Sequence, residues 1–260
     1  MLKNRLIARL DIKRDKLIKG IHLEGLRVVG NPVIAAMRYY EAGIDELLLV
    51  DAVASLYQRN NLDLIIKEIC REIFIPVTVG GGIRSVQDAK ALFDAGADKV
   101  AVNTAAISDP ELLRDLSSTF GTQAIVLSIQ GKRDEMNQNS WIAMTDNGRE
   151  KSTYTVIDWV EVAQSKGIGE ILLTSVDQEG TGKGFDLQLL EAVSKVATVP
   201  LQICGGFSNS SDALLAFQKG AQASVIAQAL HYEKISISSL KSQLNSNHMN
   251  VRSIKDQRKV

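Results

Sequence analysis

Residues 75 to 106 read IPVTVGGGIRSVQDAKALFDAGADKVAVNTAA, and residues 199 to 230 read VPLQICGGFSNSSDALLAFQKGAQASVIAQAL. The two stretches align without a gap at an offset of 124 residues, and the same offset carries GIDELLLV (43–50) onto GIGEILLT (167–174). Self-similarity at a fixed spacing is the sequence signature of a duplicated architecture. The chain therefore contains two equivalent halves.

Short apolar runs of strand type alternate with helical patterns along the chain. The eight runs are LIARL, ELLLV, PVTVG, DKVAV, AIVLSI, EILLTS, PLQIC and ASVIA. Such alternation is typical of parallel βα units, and eight units in two equal halves predict an α/β fold, a (β/α)₈ TIM barrel built from two half-barrels. A doubly wound open sheet is the alternative, but it does not explain two equivalent sets of four strands.

The boundaries follow from the same alignment. We predict a single barrel over residues 1–245, with half-barrels of about 1–122 and 123–245, and a polar, mobile tail over residues 246–260. The first strands of the halves align at an offset of only 119, which predicts long loops after the first and fifth strands. Ser85 with Asp88 predicts a capping box at a helix start, and Asp109-Pro110-Glu111 predicts a second start.

The composition excludes several function classes. Thirty basic and thirty acidic side chains cancel, so the chain lacks the excess positive charge with which proteins hold nucleic acids or anionic membranes. Its two cysteines and three histidines lack metal-ligand spacing, and we expect no metal and no cofactor. No segment reaches the roughly 18 apolar residues of a membrane span, and the N-terminus is not a signal peptide, so we expect a cytoplasmic protein.

Glycine-rich turns follow two strands at equivalent places in the halves: Gly80-Gly81-Gly82 and Gly205-Gly206. In (β/α)₈ enzymes substrates bind at the carboxyl ends of the strands, where glycines let backbone N–H groups approach a phosphate. Asn103-Thr104 would complete the first site, and the repeat places Ala227-Gln228 at the second. Two such sites predict a ligand with a phosphate at each end. The alternative is that the glycines only close tight connections between strands and helices.

The first and fifth strands differ at one informative position. LIARLDIKR (6–14) places Asp11 at the strand end, whereas IVLSIQGKR (125–133) places Gln130 there. Two carboxylates across a barrel mouth would make a general acid and a general base. Glutamine forms hydrogen bonds but does not titrate in the useful range, so one member of the pair is missing.

Charged side chains are predicted inside the barrel. Strand alternation puts Arg5, Arg9 and Asp11 on one face, and Asp11 makes this the interior face. Buried arginines need partners, which could come from charged residues at the starts of other strands. Those residues are Glu46, Lys99 and Glu170, which with Arg5 would form a ring at the barrel bottom. From the residues alone, the ring is either a functional layer or a salt-bridge plug.

Two further side chains are of types that serve as catalysts in other enzymes. Cys204 ends the seventh strand, but no histidine is placed beside it, so we interpret it as a small buried residue. His22 lies in the long loop after the first strand and is interpreted as a surface residue.

The segments RLIARLDIK, GIDELLLVD, PVTVGGGI, GADKVAVNTAA and GEILLTSVDQEGT, with the GG after the seventh strand, carry a resemblance. In order and spacing they resemble the cyclase subunit of imidazole glycerol phosphate synthase in histidine biosynthesis. The resemblance runs to about residue 252. It implies a heterodimer in which a glutaminase docks on the barrel bottom and releases ammonia into the barrel. The ammonia would meet a bisphosphorylated ribulosyl-formimino-carboxamide nucleotide at the mouth and yield imidazole glycerol phosphate and aminoimidazole carboxamide ribotide.

The resemblance also implies residue roles. Asp11 matches a catalytic aspartate, and Asp98 matches the residue that couples the subunits. Arg5, Glu46, Lys99 and Glu170 match the family's ammonia gate. The matched phosphate or substrate contacts are Lys19 in a mobile first loop, Gly81, Gly82, Asn103 and Thr104 in one half, and Asp177, Gly205, Gly206, Ala227 and Gln228 in the other.

The chain departs from the family pattern near the chemistry. Gln130 falls on the second catalytic aspartate, and Arg9 stands where a small cysteine is usual. Gln228 replaces a serine, and Glu179 replaces an aspartate. Arg9 is predicted to form an ion pair with Asp11. Two functions follow as expectations: a cyclase subunit with altered catalytic residues, or a non-catalytic scaffold that passes ammonia to a separate amidotransferase in surface-polysaccharide sugar amidation.

Overall fold

The computed structural model describes residues 3–52 and 62–253, which form one closed barrel with helices outside it. The strands are β1 (Arg5–Lys13), β2 (Lys16–Ile21), β3 (Glu24–Gly30), β4 (Glu46–Asp51), β5 (Val77–Gly80), β6 (Lys99–Val102), β7 (Ile125–Arg133), β8 (Trp141–Thr145), β9 (Glu150–Thr155), β10 (Glu170–Ser175), β11 (Leu201–Cys204) and β12 (Ala223–Ile226). Eight of them, β1, β4, β5, β6, β7, β10, β11 and β12, pair in parallel in that order, and β12 closes on β1. The predicted (β/α)₈ fold is confirmed.

The remaining four strands form two antiparallel hairpins at the barrel mouth. The hairpin β2–β3 follows β1, and the hairpin β8–β9 follows β7, so each half carries one at the same place. The sequence predicts long loops here, and the structure shows that they are sheet extensions of β1 and β7. The hairpin strands, KLIKGI and EKSTYT among them, are too polar for an apolar pattern to reveal them.

The helices follow the strands and cover the barrel. They are α1 (Pro32–Glu41), α2 (Asp63–Glu72), α3 (Val86–Asp94), α4 (Thr104–Ser108), α5 (Glu111–Phe120), α6 (Val156–Gln164), α7 (Leu187–Ser194), α8 (Ser210–Gln218), α9 (Gln228–His231) and α10 (Ile237–Ser246). Ser85 caps α3 by accepting a hydrogen bond from Asp88 N at 3.1 Å, but Asp88 Oδ2 accepts from Arg84 N and not from Ser85 N, so only half of the predicted capping box forms. Helix α5 begins one residue after the predicted proline, at Glu111, whose backbone N–H is bound by Asp109.

Equivalent positions of the two halves share unusual backbone conformations. Asn103 has φ −129° and ψ −91°, and its repeat partner Ala227 has φ −123° and ψ −78°. Gly81 and Gly205 have φ of 98° and 97°, in the left-handed region that favours glycine. The duplication read from the sequence therefore extends to the backbone geometry of the mouth.

Two hydrophobic cores flank the barrel wall, because successive strand residues point to opposite sides. The larger core lies between the strands and the helices. The smaller core fills the middle of the barrel and consists of Ile7, Leu48, Ala101, Val126, Leu172, Cys204, Ala223 and Val225. The buried polar side chains Thr78 and Gln202 belong to strands in register with Leu48 and Leu172 of this band.

The C-terminal segment returns to the barrel bottom. Lys241 on α10 is 2% exposed and its Nζ lies 2.5 Å from Asp45 Oδ1, while Val251 is buried and forms a bridge with Asn4. Residues 254–260 of the predicted mobile tail lie outside the described residues, and its mobility stays a prediction. None of the helices in the described ranges has the length and apolar character that a membrane span requires.

Candidate functional site

The barrel bottom carries the four charges that the sequence predicts to meet there. Arg5 bonds to Glu46 Oε1 at 2.7 Å and also to Glu170, and Lys99 Nζ lies 3.0 Å from Glu170 Oε2 and 3.6 Å from Glu46 Oε2. Burial alone would raise the pKa of Glu170, but the charges of Arg5 and Lys99 hold it below its usual value. Two cations and two carboxylates thus form a closed, neutral ring in which each charge has two partners of opposite sign.

Asp98 lies next to Lys99 and has a structural partner of its own. Its Oδ2 accepts a hydrogen bond from Val77 N at 2.8 Å. The repeat-equivalent Gln222 accepts one from Leu201 N at 2.6 Å. Asp98 therefore ties the start of β6 to the start of β5, beside the ring.

A second charged group, here called the mouth network, lies at the other end of the barrel. It consists of Arg9, Asp11, Lys19 and Glu179, each 3–5% exposed. Arg9 Nε donates to Asp11 Oδ1 at 2.8 Å, Lys19 Nζ lies 3.6 Å from Asp11 Oδ2, and Lys19 also bonds to Glu179. The predicted ion pair between Arg9 and Asp11 is confirmed.

The mouth network fixes the protonation state of Asp11. Burial would raise the pKa of this carboxyl, but the charges of Arg9 and Lys19 together with the Arg9 hydrogen bond hold it below its usual value. Burial would lower the pKa of Lys19, and Glu179 and Asp11 reverse this effect and raise it. Asp11 is therefore an ionised carboxylate with cations on both of its oxygens.

The first hairpin closes over this network. Lys19 projects inward from β2, His22 N donates to Glu179 O at 2.8 Å, and a Cβ added at Gly180 would overlap the carbonyl oxygen of Gly20. His22 is exposed and makes a side-chain contact of 3.0 Å with Val176 O. The hairpin and the loop after β10 thus lie in contact, with Lys19 enclosed between them.

Cys204 and His231 adjoin the mouth network but are not reactive groups. Arg9 Nη1 lies 3.4 Å from Cys204 Sγ, and burial raises the pKa of this thiol to about 11, so it stays protonated at neutral pH. His231 contacts the Tyr39 hydroxyl through Nδ1 at 2.7 Å. Burial lowers the pKa of His231 to about 4, so its ring is neutral. The interpretation of Cys204 as a small buried residue is confirmed.

A cluster that the sequence did not reveal holds the second hairpin in place. Asp177 Oδ2 accepts from Arg133 N at 2.8 Å, and the Arg133 guanidinium lies 4.6 Å from the centre of the Trp141 ring. Trp141 Nε1 donates to Asp186 Oδ2 at 3.0 Å. These contacts fix the segment 177–186 from both ends. These contacts join residues that are remote in sequence. In the sequence, only the basic Arg133, which follows Gln130 in QGKR, points to them.

An open cavity of about 370 Å³ lies at the mouth of the first half. Its lining includes Gly80, Gly81, Gly82, Asn103, Thr104, Ser128, Gln130 and Asp146. Asn103 Nδ2 donates to Met144 O at 3.2 Å, and Thr104 Oγ1 accepts from Asp146 N at 3.1 Å. Within residues 3–52 and 62–253, Gln130 Oε1 is buried without a hydrogen-bond partner. The predicted first phosphate site and Gln130 thus share one cavity.

The equivalent place in the second half is almost filled. Its free volume is about 10 Å³, and its lining consists of Glu179, Gly180, Cys204, Gly205, Gly206, Phe207, Val225, Ala227 and Gln228. Gly184 N donates to Gly206 O at 2.8 Å, and the Gly184 carbonyl would overlap a Cβ at Gly206. The structure therefore brings Gly205, Gly206, Ala227 and Gln228 together but leaves almost no space between them, and the predicted Asp177 does not line this space.

Within residues 3–52 and 62–253, no group of three or more histidine, cysteine, aspartate or glutamate side chains is arranged to hold a metal ion. The charged side chains of the mouth and the bottom are instead paired with one another.

The structure defines the class of protein as a duplicated (β/α)₈ barrel with glycine turns at its mouth and a charged ring at its bottom. Comparison with known proteins then identifies the family. The family model of histidine biosynthesis proteins matches residues 5–236. Three relatives carry the name imidazole glycerol phosphate synthase subunit HisF. That of Legionella pneumophila is 57% identical over 202 residues, which are 78% of this chain and 94% of the relative. The relative from Streptococcus sanguinis is 44% identical over 253 residues, which are 97% of this chain and 100% of the relative. The relative from Thermococcus onnurineus is 38% identical over 252 residues, which are 97% of this chain and 99% of the relative. The chain belongs to this histidine biosynthesis family, among the cyclase subunits of imidazole glycerol phosphate synthase.

The neutral, half-buried His231 predicts a pH dependence of stability. Its folded pKa of about 4 lies below the value of about 6.5 of an unfolded histidine, so the unfolded state binds more protons between these values and stability falls as the pH falls through them. Between pH 7 and pH 4.5, urea unfolding should show that the wild type loses about 2 kcal/mol more stability than His231→Asn. The control His248→Asn removes an exposed histidine and should follow the wild type. Equal pH slopes for His231→Asn and the wild type would contradict the prediction.

Proposed function

We propose that the chain is an ammonia-channelling subunit that works with a glutaminase, and that its own cyclase activity is weak or absent. In this proposal the glutaminase docks on the barrel bottom to form a heterodimer, and Asp98 couples the two subunits. Ammonia passes the ring of Arg5, Glu46, Lys99 and Glu170 into the barrel. A separate ATP-using amidotransferase then consumes it in the amidation of surface-polysaccharide sugars.

The observation that carries the proposal is the pairing of Asp11 with Arg9 and Lys19. A general acid must release a proton and a general base must accept one, and both roles require a pKa near the working pH. Asp11 has a lowered pKa, and both of its oxygens face cations. Gln130, at the corresponding place across the mouth, does not titrate. Neither of the two catalytic positions is thus suited to proton transfer.

The barrel bottom supports the other half of the proposal. All four ring charges are present and paired, and the band above them is built from small and apolar side chains such as Leu48, Ala101 and Ala223. A neutral ring and an apolar band suit a small uncharged molecule such as ammonia better than an ion. The features needed to receive ammonia are therefore kept, while those needed for cyclisation are altered.

The second candidate function is the cyclase reaction itself. Two observations favour it: Asp11 is retained, and the first-half cavity keeps Gly82, Asn103 and Thr104. The relatives are named as subunits of the synthase. In this case the substrate would be the bisphosphorylated nucleotide, and Asp11 would have to leave its ion pairs during turnover.

Turnover with ammonium salt and the nucleotide separates the two functions. We expect the chain to turn over at least about 100-fold more slowly than the Streptococcus sanguinis relative, because loss of an acid–base residue costs roughly 10²- to 10⁴-fold. The variant Gln130→Asp should stay slow, because Asp11 remains paired with Arg9. The rate is measured as formation of the imidazole product. A wild-type rate within about tenfold of the relative would refute the scaffold function.

The ring predicts how the chain acts on its glutaminase. In Lys99→Ala the carboxylates of Glu46 and Glu170 retain only Arg5 between them and repel each other, so the ring no longer closes. With the glutaminase subunit of the same organism, stimulation of glutamine hydrolysis should fall by about tenfold, within the usual range of coupling between sites. The control Lys195→Ala removes an exposed lysine and should stimulate like the wild type. Full stimulation by Lys99→Ala would exclude a coupling role for the ring.

A further inference from the structure

The two halves of the mouth have matching backbones but unequal space. Asn103 and Ala227 share one unusual conformation, and Gly82 and Gly206 both have positive φ, of 75° and 98°. The cavity beside the first set measures about 370 Å³, and the space beside the second about 10 Å³. The space in the second half is reduced by its own side chains and by the segment 177–185 packed over it, whose equivalent in the first half, residues 53–61, lies outside the described residues.

The second half is filled by the protein's own groups. Glu179 reaches Lys19, Gln228 lines the remaining space, and the Gly184 carbonyl lies against Gly206. A volume of about 10 Å³ holds about one water molecule. A phosphate group, with five heavy atoms, does not fit there.

Charge leads to the same conclusion. The mouth network contains two cations, Arg9 and Lys19, and two carboxylates, Asp11 and Glu179, so its formal charge is zero. Each cation is buried against a carboxylate within the chain. An incoming phosphate would have to displace a buried carboxylate from its partner, which leaves that carboxylate unpaired at considerable cost. The second half is therefore closed to anions by charge as well as by volume.

The first half offers a different set of groups. Backbone N–H groups of its glycine turn and the start of the nine-residue helix α3 suit one phosphate, and Arg84 also lines the cavity. The lining also presents acceptors, the carboxylate oxygens of Asp146. Acceptors there call for hydroxyl groups on the ligand. The volume lies at the lower end of small-molecule sites, which span roughly 300–1,000 Å³.

We infer that the mouth binds a small, hydroxyl-bearing monophosphate of pentose phosphate size, at the first half only, and that the second half is closed by Lys19, Glu179 and Gln228. The inference deepens the proposed function, since it names the ligand class of the same mouth. A ligand with a phosphate at each end therefore binds no more tightly than the same ligand without its second phosphate. This ligand class differs from the two-phosphate ligand that the sequence predicts.

Calorimetric titration with simple probes tests the inference. Ribose 5-phosphate should bind at least about tenfold more tightly than ribose or inorganic phosphate, and ribulose 1,5-bisphosphate should bind within about threefold of ribose 5-phosphate. A bisphosphate that binds tenfold or more tightly than the monophosphate overturns the inference, as does the absence of measurable ribose 5-phosphate binding. These titrations require neither turnover nor glutaminase. If ribose 5-phosphate does not bind, the proposed ammonia-channelling function is unaffected. If the chain turns over the nucleotide rapidly, the result of the binding titration is unaffected.

Substitutions at repeat-equivalent positions locate the site. Thr104→Gln places in the first half the side chain that lines the second, and it should weaken ribose 5-phosphate binding at least about tenfold. The control Thr119→Gln makes the same change on the exposed face of α5 and should bind like the wild type. Circular dichroism checks that both variants are folded. Unchanged binding by Thr104→Gln would refute the location.

A second variant tests the closure itself. Arg9→Cys, Glu179→Asp and Gln228→Ser together remove a cation, shorten a carboxylate and shrink the side chain lining the second half. We expect this triple variant to prefer the bisphosphate over the monophosphate by at least about tenfold. A triple variant without this preference would contradict the assignment of Glu179 and Gln228 to the closure.

Discussion

The buried ion pair between Arg9 and Asp11 is the interaction on which the mouth of this barrel depends. Taking two charges out of water costs free energy that is recovered only if each charge keeps a close partner. Arg9 meets this condition with Asp11 at 2.8 Å, and Lys19 meets it with Glu179 and Asp11. Loss of any one of the four would leave the buried network with a net charge, so the network binds the first hairpin, the barrel interior and the loop after β10 together.

This network explains why two halves with one backbone have different properties. A duplicated barrel has two equivalent sets of strand ends, and each set could bind an anion. In the second half the corresponding space is almost filled, and Glu179 and Gln228 line what remains of it. In the first half the space stays open and reaches Gln130. The charged ring at the other end of the barrel is separated from both by an apolar band and keeps its four partners.

Much of this could be predicted from the sequence, because its evidence is periodic or local. The repeat at a fixed offset predicts eight strands in two halves, and alternation along β1 predicts that Arg5, Arg9 and Asp11 share the interior. The charged ring at the barrel bottom and the ion pair of Arg9 with Asp11 can be predicted from this placement, because buried charges need partners. The polar hairpins, the contact between Lys19 and Glu179, and the closure of the second half could not be predicted. They depend on contacts between residues as much as 160 positions apart, for which the sequence carries no local pattern.

The central claim is that Asp11 stays ionised and paired throughout the physiological pH range. Carbon-13 NMR of the Asp11 carboxyl group, assigned by its loss in Asp11→Asn, measures this directly. The account predicts a carboxyl shift that stays constant from pH 8 to pH 5 and a pKa below the ordinary value of about 3.9. An Asp11 that titrates at or above its ordinary pKa, as a proton-transferring carboxyl would, contradicts the account.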